Sequence, residues 1–373
     1  MPFNGLAVFG SSVFDGIAED VSDSIGMISP SETPLLDRLA QPQRPAQSVL
    51  HEWLEESLNP DTVVSSTTIN DSATVFAIHK GGAVVTGNLQ VGLVAKNQTT
   101  GEYIQVTGIS GNSITVTRGF GSSTAATITA GQTFLLISDV ALEGADVTDD
   151  ISQPRVRRSN YLQIFKKDII VSGTMMAMSQ LGSIEAEYEH QKNCRMRESI
   201  RDLEKAVIQG RASGNTLGSA SAYRTFEGLW SRLTTNATST GTMTPDVLDT
   251  ILQGPWDAGA TDINLVMVDA RWKRIIDSWN STRVQASNSD ESFKNLVSRY
   301  TSTFGEVDIM LGRWMPANSL VAISTGRVRV VPLTGRSYQH VEVSRTGDSK
   351  KGMIIGEYTL EVENQDGMAK AYG

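Results

Sequence analysis

The stretch from Ser183 to Arg211 constrains this chain more than any other. It contains no proline, and no glycine between Gly182 and Gly210. Almost every second residue is charged: Glu185, Glu187 and Glu189 open it, and Lys192, Arg195, Arg197 and Arg201 follow, interleaved with Glu198, Asp202, Glu204 and Lys205. Leu181, Ile184, Tyr188, Met196, Ile200, Leu203 and Val207 fall three or four apart, with one gap near Gln191 and Lys192. That spacing predicts a helix with a single narrow apolar stripe. At 1.5 Å per residue it would reach roughly 40 Å, well beyond a mean globular helix of about 11–12 residues. The acidic opening suits the positive end of the helix dipole. Glu189–Lys192, Arg195–Glu198, Glu198–Arg201 and Asp202–Lys205 are placed to pair, each worth a few tenths of a kcal/mol. Two descriptions fit. One is a solvated helix lying on a sheet. The other is a spine whose charged flanks, Glu185, Glu189, Arg195, Arg197 and Arg201 among them, meet neighbouring subunits. A coiled coil fits poorly, because the heptad is not sustained.

At 373 residues the chain allows two or three domains, and 39% hydrophobic with 20% charged residues fits a folded globular protein. The net charge of −9 argues against a nucleic-acid clamp. Cys194 is the only cysteine, which excludes a disulfide within one chain and suits a cytosolic assembly. No stretch reaches the ~18 apolar residues of a membrane span, and the N-terminus lacks the basic and apolar regions of a signal peptide.

Along the chain, residues 1–60 are strongly acidic: Asp15, Glu19, Asp20, Asp23, Glu32, Asp37, Glu52, Glu55 and Glu56 stand against Arg38 and Arg44. The early part reads as an arm of weak periodicity. In SPSETPLLDRL, Ser31 or Thr33 would cap a short helix with Pro34 in its first turn. A strand-like run begins at His51. From Val63 to Ile137 the composition shifts to Thr, Val, Ile and Gly, with Lys80, Lys96, Glu102 and Arg118 nearly the only charges. EYIQVTGISGNSITVTRGF alternates on both sides of the turn Ser110–Ser113, a hairpin pattern. With ATVFAI, GAVVTG, LQVGLVA and TFLLIS it predicts a small barrel or sandwich, with Phe76, Tyr103, Phe120 and Phe134 in its core. Residues 151–174 return as an extended basic strand carrying Arg155, Arg157, Arg158, Lys166 and Lys167.

After the long helix come a Gly/Ser/Ala loop at 212–222 and a mixed α/β unit over 244–335. Thr244 and Pro245 predict a helix running to Leu252, INLVMV a buried strand, and ARWKRIIDSW an amphipathic helix. DIMLG, SLVAI, RVRVVPL, HVEV and the tail GMIIGEYTLEVENQDGMAKAYG read as strands.

No catalytic constellation emerges. His51, His79, His190 and His340 lack metal-ligand spacing, and Asn88 stands where a P-loop starting at Gly82 would need lysine. Gly119 and Gly121 lack the third glycine of a dinucleotide site. Asp146, Asp149 and Asp150 read as an acidic loop, since a calcium loop alternates oxygen ligands more densely. No metal and no cofactor is expected. The basic run Arg155–Lys167 is the best nucleic-acid candidate. However, Tyr161 and Phe165 look like strand-face residues, so electrostatic pairing with the acidic arm, within or between subunits, is the favoured reading.

The order of parts is acidic arm, two-stranded excursion with a β insert, long charged helix, compact α/β unit and returning strands. That order, with the strings SPSETPLLDRL, HEWLEESL, FKKDIIVSGT, FEGLWSRL, WDAGATDINLVMVDARWKRIIDSW and GEYTLEVENQDGMAKAYG, resembles the major capsid protein of tailed bacteriophages, the Hong Kong ninety-seven type of fold. The resemblance implies an α+β fold divided as follows. Residues 1–50 would be an N-terminal arm, 51–62 and 141–174 the strands of an extended E-loop, and 63–140 an inserted β-domain. Residues 175–240 with 336–373 would be a peripheral domain, and 241–335 an axial domain. It implies a shell built from hexamers and pentamers of many copies, with a separate scaffolding protein, a portal and decoration proteins as partners. Packaged DNA would be met only by proximity and no membrane is involved; assembly would occur in the host cytoplasm. The family's best-known lysine–asparagine cross-link lies at a loop tip that the β-domain replaces here, so Lys166 and Asn364 are not given that role. An encapsulin-like compartment is the alternative within the same fold. A carbohydrate-binding or hydrolytic protein is the alternative from another class.

Overall fold

The computed structural model describes residues 33–40, 42, 44–59, 61–79, 89–144, 146, 151–177, 187–214, 217–279, 284–286, 297–345 and 347–373. The chain divides into two compact units, Leu54–Arg158, and Met1–Trp53 together with Ser159–Gly373. Most of the acidic arm, GAVVTG, Asp149 and Asp150 lie outside the described residues, as does Glu185.

The first strand is β1 (Leu50–Glu55). Six short strands follow: β2 (Thr62–Ser65), β3 (Val75–His79), β4 (Val94–Asn97), β5 (Tyr103–Ser110), β6 (Ser113–Thr117) and β7 (Thr133–Ser138). They close into a barrel in the order β2-β3-β6-β5-β4-β7. Closure removes the open edges that a six-stranded sheet would otherwise expose. Alternation decides which side chains fill it: Ile104 and Val106 of β5 and Ile114 and Val116 of β6 point inward, packing with Ile78, Ile128 and Phe134. The same period turns Tyr103 outward. It is half-buried beneath the Lys96 ammonium, 5.5 Å from its ring centroid. Phe120 is also half-buried, so of the four expected core aromatics only Phe76 and Phe134 fill the interior, their rings 5.6 Å apart. Gly111, at φ 56, makes the hairpin turn between β5 and β6.

One ion pair clasps this barrel. Arg118 donates from Nε to Glu102 Oε1 at 2.7 Å and from Nη2 to Oε2 at 2.8 Å, and its Nη1 reaches the carbonyls of Asn70 and Ala73. The amides of Gly119 and Ala126 also donate to Glu102. Burial alone would raise the Glu102 carboxyl, but the Arg118 fork and the two amides hold it below its ordinary value.

Strand β8 (Val156–Tyr161) pairs with β1 in a two-stranded ribbon, and β9 (Gln163–Ser172) continues the chain. A short helix α1 (Gly173–Ala177) leads toward α2 (Glu187–Gln209), the long helix. Its 23 residues span about 35 Å. Next come α3 (Leu229–Arg232), β10 (Ala237–Ser239), α4 (Pro245–Asp257), β11 (Leu265–Val268) and α5 (Ala270–Asp277). Strands β12 (Val284–Ala286), β13 (Val297–Ser302), β14 (Gly305–Leu311), β15 (Ser319–Ile323) and β16 (Val328–Pro332) follow. The chain ends with β17 (Gln339–Val343), β18 (Ser349–Val362) and β19 (Ala369–Tyr372).

These strands make two sheets. The larger has the order β10-β19-β15-β11-β14-β13-β12. Both of its faces are covered, which explains the unbroken apolar run of β11. Val266 and Val268 pack under α4 and α5 with Leu248, Ile251, Trp272 and Ile276, whereas Leu265 and Met267 join the core beneath α2. The second sheet is built around β18. On one side Ser349–Tyr358 pairs with β9; on the other β17 and β16 pair in succession. The apolar stripe of α2 lies over this sheet, with Tyr188 against Ile169, Val171 and Ile354, and Leu203, Val207 and Ile208 against Phe165 and Leu360.

Several local expectations change. Thr244 Oγ1 accepts from the Val247 amide and Pro245 opens α4, but the helix runs past Leu252 to Asp257 because Ile251, Leu252 and Pro255 are all buried. The larger sheet takes β19 from the segment 336–373, and β16 from the segment 241–335 pairs with β18, so the two sheets draw strands from both segments. Residues 34–38 form turns and no helix. The Leu35 amide donates to Glu204 Oε1 and the Leu36 amide to Glu204 Oε2, each at 3.0 Å, while the Arg38 amide closes the turn on the Leu35 carbonyl at 2.9 Å. No helix among the described residues is long and apolar enough to cross a membrane.

Candidate subunit-contact surface

The helix α2 buries one face and presents the rest. Its acidic first turn holds Glu187 and Glu189. Lys192 pairs with Glu189 at 2.5 Å, and this ammonium holds the Glu189 carboxyl below its ordinary value. Arg195 donates to both oxygens of Glu198 at 2.7 Å. That contact occupies Glu198, and the expected Glu198–Arg201 pair is replaced by a looser approach of Arg201 to Asp202 at 3.9 Å. Asp202 is the hub of this flank: Lys167 of β9 reaches it at 2.6 Å and Lys205 at 3.9 Å. The Lys205 ammonium also sits 4.3 Å from the Trp314 ring centroid. Between β9 and α2 lies an open groove of about 480 Å³, lined by Lys166, Lys167, Asp202, Lys205 and Gln209 among others.

Arg197 is exposed and has no ion pair among the described residues. Lys166 is exposed and turns to Asp168 at 3.1 Å. In the barrel unit, Arg158 pairs with Glu55 at 3.2 Å and Arg155 with Glu56 at 3.4 Å, while Arg157 is exposed. The Arg155–Glu56 pair is about two-thirds exposed on both sides, a geometry that contributes little. The structure thus brings Lys166 and Lys167 to the flank of α2, and gives Arg155 and Arg158 acidic partners within the same chain.

Sequence reasoning passed over a second set of charges that anchors the arm and sheet. His51 Nε2 lies 2.7 Å from Glu361 Oε2, and Arg329 reaches Glu361 at 3.1 Å and Glu363 at 2.6 Å. Arg224 and Arg336 converge on Glu357. Glu204, one of the charges interleaved along the helix, is fully buried. Its position beside Leu203 and one turn before Ile208 was the signal that could have found it. Cys194 lies one turn after His190, with Sγ 3.7 Å from Nε2. No group of three potential metal ligands occurs among the described residues.

The chain thus combines a two-sheet unit carrying a long spine helix with a segment that departs into a closed barrel and returns. The fold is similar to that of a chain from Microbacterium phage Oxtober96, at 11% identity and TM-score 0.52, covering 95% of this chain and 96% of that one. It is also similar to the capsid of Myoviridae Phage XM1, at 10% identity and TM-score 0.52, covering 98% and 100%. The capsid of an empty GTA particle gives 10% identity and TM-score 0.50, covering 95% of each chain. At such identities the likeness shows the fold. No curated protein matches the sequence. The family profile described as SU10 major capsid protein matches residues 4–373, and the chain belongs to that family. It is a major capsid protein, a structural subunit whose copies assemble into the shell of a tailed-phage virion. Membership in a phage capsid family outweighs the encapsulin and carbohydrate-binding alternatives.

Proposed function

We propose that the subunit joins its neighbours through the charged flanks of α2 and the basic return strands, and that it carries out no catalytic step. Residues 1–50 act as an arm, 51–62 and 141–174 as the E-loop, and 63–140 as an inserted β-domain. The peripheral part is 175–240 with 336–373, and the axial part 241–335. Arg155, Arg157, Arg158, Lys166, Lys167, Glu185, Glu189, Arg195, Arg197 and Arg201 are the contact candidates. The supporting observation is Arg197, an exposed cation on the spine with no partner among the described residues of its own chain. A surface charge of this kind contributes within about 0.5 kcal/mol to folding, so its value lies outside the subunit.

A separate scaffolding protein, a portal and decoration proteins complete the assembly, which takes place in the host cytoplasm. DNA meets the inner surface without specific contacts, and the chain's charge of −9 limits its trapping there. R197E tests the contact: melting of the subunit should stay unchanged while the yield of closed shells, read by sedimentation, falls. An unchanged yield would remove Arg197 from the contact. Reversal of Arg155, Arg157 and Arg158 together should impair assembly more than subunit melting. A sharp fall in melting would show that the Glu55 and Glu56 pairs carry their role instead.

A further inference from the structure

Strand β9 pairs with β18 and, among the described residues, with no other strand. Its second edge is therefore open, and the groove of about 480 Å³ beside α2 runs along it. The lining shows this. A groove lying over one face of a strand touches alternate residues, because successive side chains point to opposite faces. This one is bordered by every residue from Gln163 to Lys167, which only an approach from the edge allows. Across from them stands one stripe of α2: Ser199, Asp202, Lys205 and Gln209, spaced three or four apart. In an antiparallel pair every second residue turns its N–H and C=O away from the partner strand, so β9 offers backbone donors and acceptors to the groove.

The charges around that edge are unbalanced. Lys166 and Lys167 are adjacent, so they project to opposite faces. Lys167 turns toward α2, where Asp202 meets it at 2.6 Å; Lys166 lies on the other face, paired with Asp168 at 3.1 Å in a contact at least half exposed on both sides. Asp202 also faces Lys205 and Arg201, each at 3.9 Å, so one carboxylate serves three cations. In a chain of charge −9 this surplus of positive charge is local to the groove. Lysines on an edge strand discourage indiscriminate pairing. The same lysines favour a strand that sets acids opposite them. Two successive acids on such a strand alternate in face as well, one meeting Lys166 and the next meeting Lys167 and Lys205. Among the described residues the only adjacent acids are Glu55 and Glu56, and these already face Arg158 and Arg155 in their own chain. The complement of the groove is therefore sought on a different protein.

We propose that the free edge of β9 between Gln163 and Lys167 takes an extended acidic segment of a partner protein as an added strand, with two successive carboxylates of that segment meeting Lys166 on one face and Lys167 and Lys205 on the other. Backbone pairing supplies the attachment and the acid pair supplies the selectivity. The proposal rests on the shell reading above for the existence of assembly partners. It narrows that reading by giving Lys166 and Lys167 a partner that is not a second copy.

The probe is a labelled peptide, blocked at both ends, with a central Glu-Glu pair between Thr and Val residues; its control carries Lys-Lys instead. Fluorescence anisotropy with the unassembled full chain should show binding of the acidic peptide and none of the basic one. Bound peptide should slow hydrogen exchange at alternate backbone amides from Gln163 to Lys167. K166E/K167E should weaken the acidic peptide on the order of tenfold and admit the basic peptide in its place. Should that variant fold poorly, the wild-type chain still decides: methylating the backbone nitrogens on one edge of the acidic peptide should abolish binding, because strand addition needs those donors. Binding that survives methylation, or leaves exchange in β9 unchanged, would overturn the proposal as charge attraction alone. No binding of the acidic peptide at millimolar concentration would overturn it too, and a concurrent loss of self-association in K166E/K167E would then assign the edge to a second copy. Peptide binding is read without shells, so a chain that binds the peptide and forms no shells fails the shell reading alone, and one that forms shells and ignores the peptide fails this proposal alone.

Discussion

At the scale of single residues, two carboxylates, the half-buried Glu361 and the buried Glu204, respond to pH in opposite directions. The His51 hydrogen bond is the largest influence on Glu361; burial opposes it, and Arg329 adds to it, leaving the carboxyl below its ordinary value. The unfolded chain then binds more protons between the lowered and the ordinary value. The stability Glu361 contributes is therefore present above the ordinary value and lost as pH falls through the lowered one. E361Q should flatten the acid limb of melting temperature against pH. Glu204 runs the other way. Burial raises it, the two amides only partly compensate, and Asp37 raises it further. Its contribution is present below the ordinary carboxylate value and lost as pH rises through the raised one, so E204Q should remove a slope of opposite sign. Neither role was legible in the sequence. His51 and Glu361 lie 310 residues apart, and the charge pattern around Glu204 gave no hint of two amides arriving from Leu35 and Leu36.

At the scale of elements, the C-terminal end of α2 depends on a close backbone approach. The Gly228 amide donates to the Gly210 carbonyl at 3.0 Å, and a Cβ on Gly228 would stand 2.6 Å from both the Ala206 carbonyl oxygen and the Gly210 nitrogen. G228A should cost about 1–3 kcal/mol in urea unfolding, since all the opposing atoms are backbone. In the barrel, R118A leaves Glu102 buried without its partner. The cost should be about 3–5 kcal/mol, read as faster hydrogen exchange confined to residues 62–138. The elements themselves were largely legible. Alternation identified β5 and β6, the Thr244–Pro245 pair marked the start of α4, and the apolar string INLVMV identified β11. The failures have physical causes. Pro34 suggested a helix start, but a helix of that length needs a tertiary face, and the chain instead spent Leu35 and Leu39 on the core under α2. Strands β16 and β19 could not be assigned to a sheet, because pairing across long separations leaves no periodic trace.

At the scale of the whole molecule, family membership makes the chain a capsid subunit, and its organisation fits that task. A spine that buries one face and offers charges on the others suits contacts made late and reversibly, each weak alone. The order of segments made this architecture legible, although no single motif did; contact residues stayed undetermined because neighbours, not local sequence, define them. Electron microscopy of the full chain produced together with the other structural proteins of its phage addresses the shell directly. Closed icosahedral particles, with this chain as the repeating subunit, are the expected result. A compact monomer under every condition tried would contradict it.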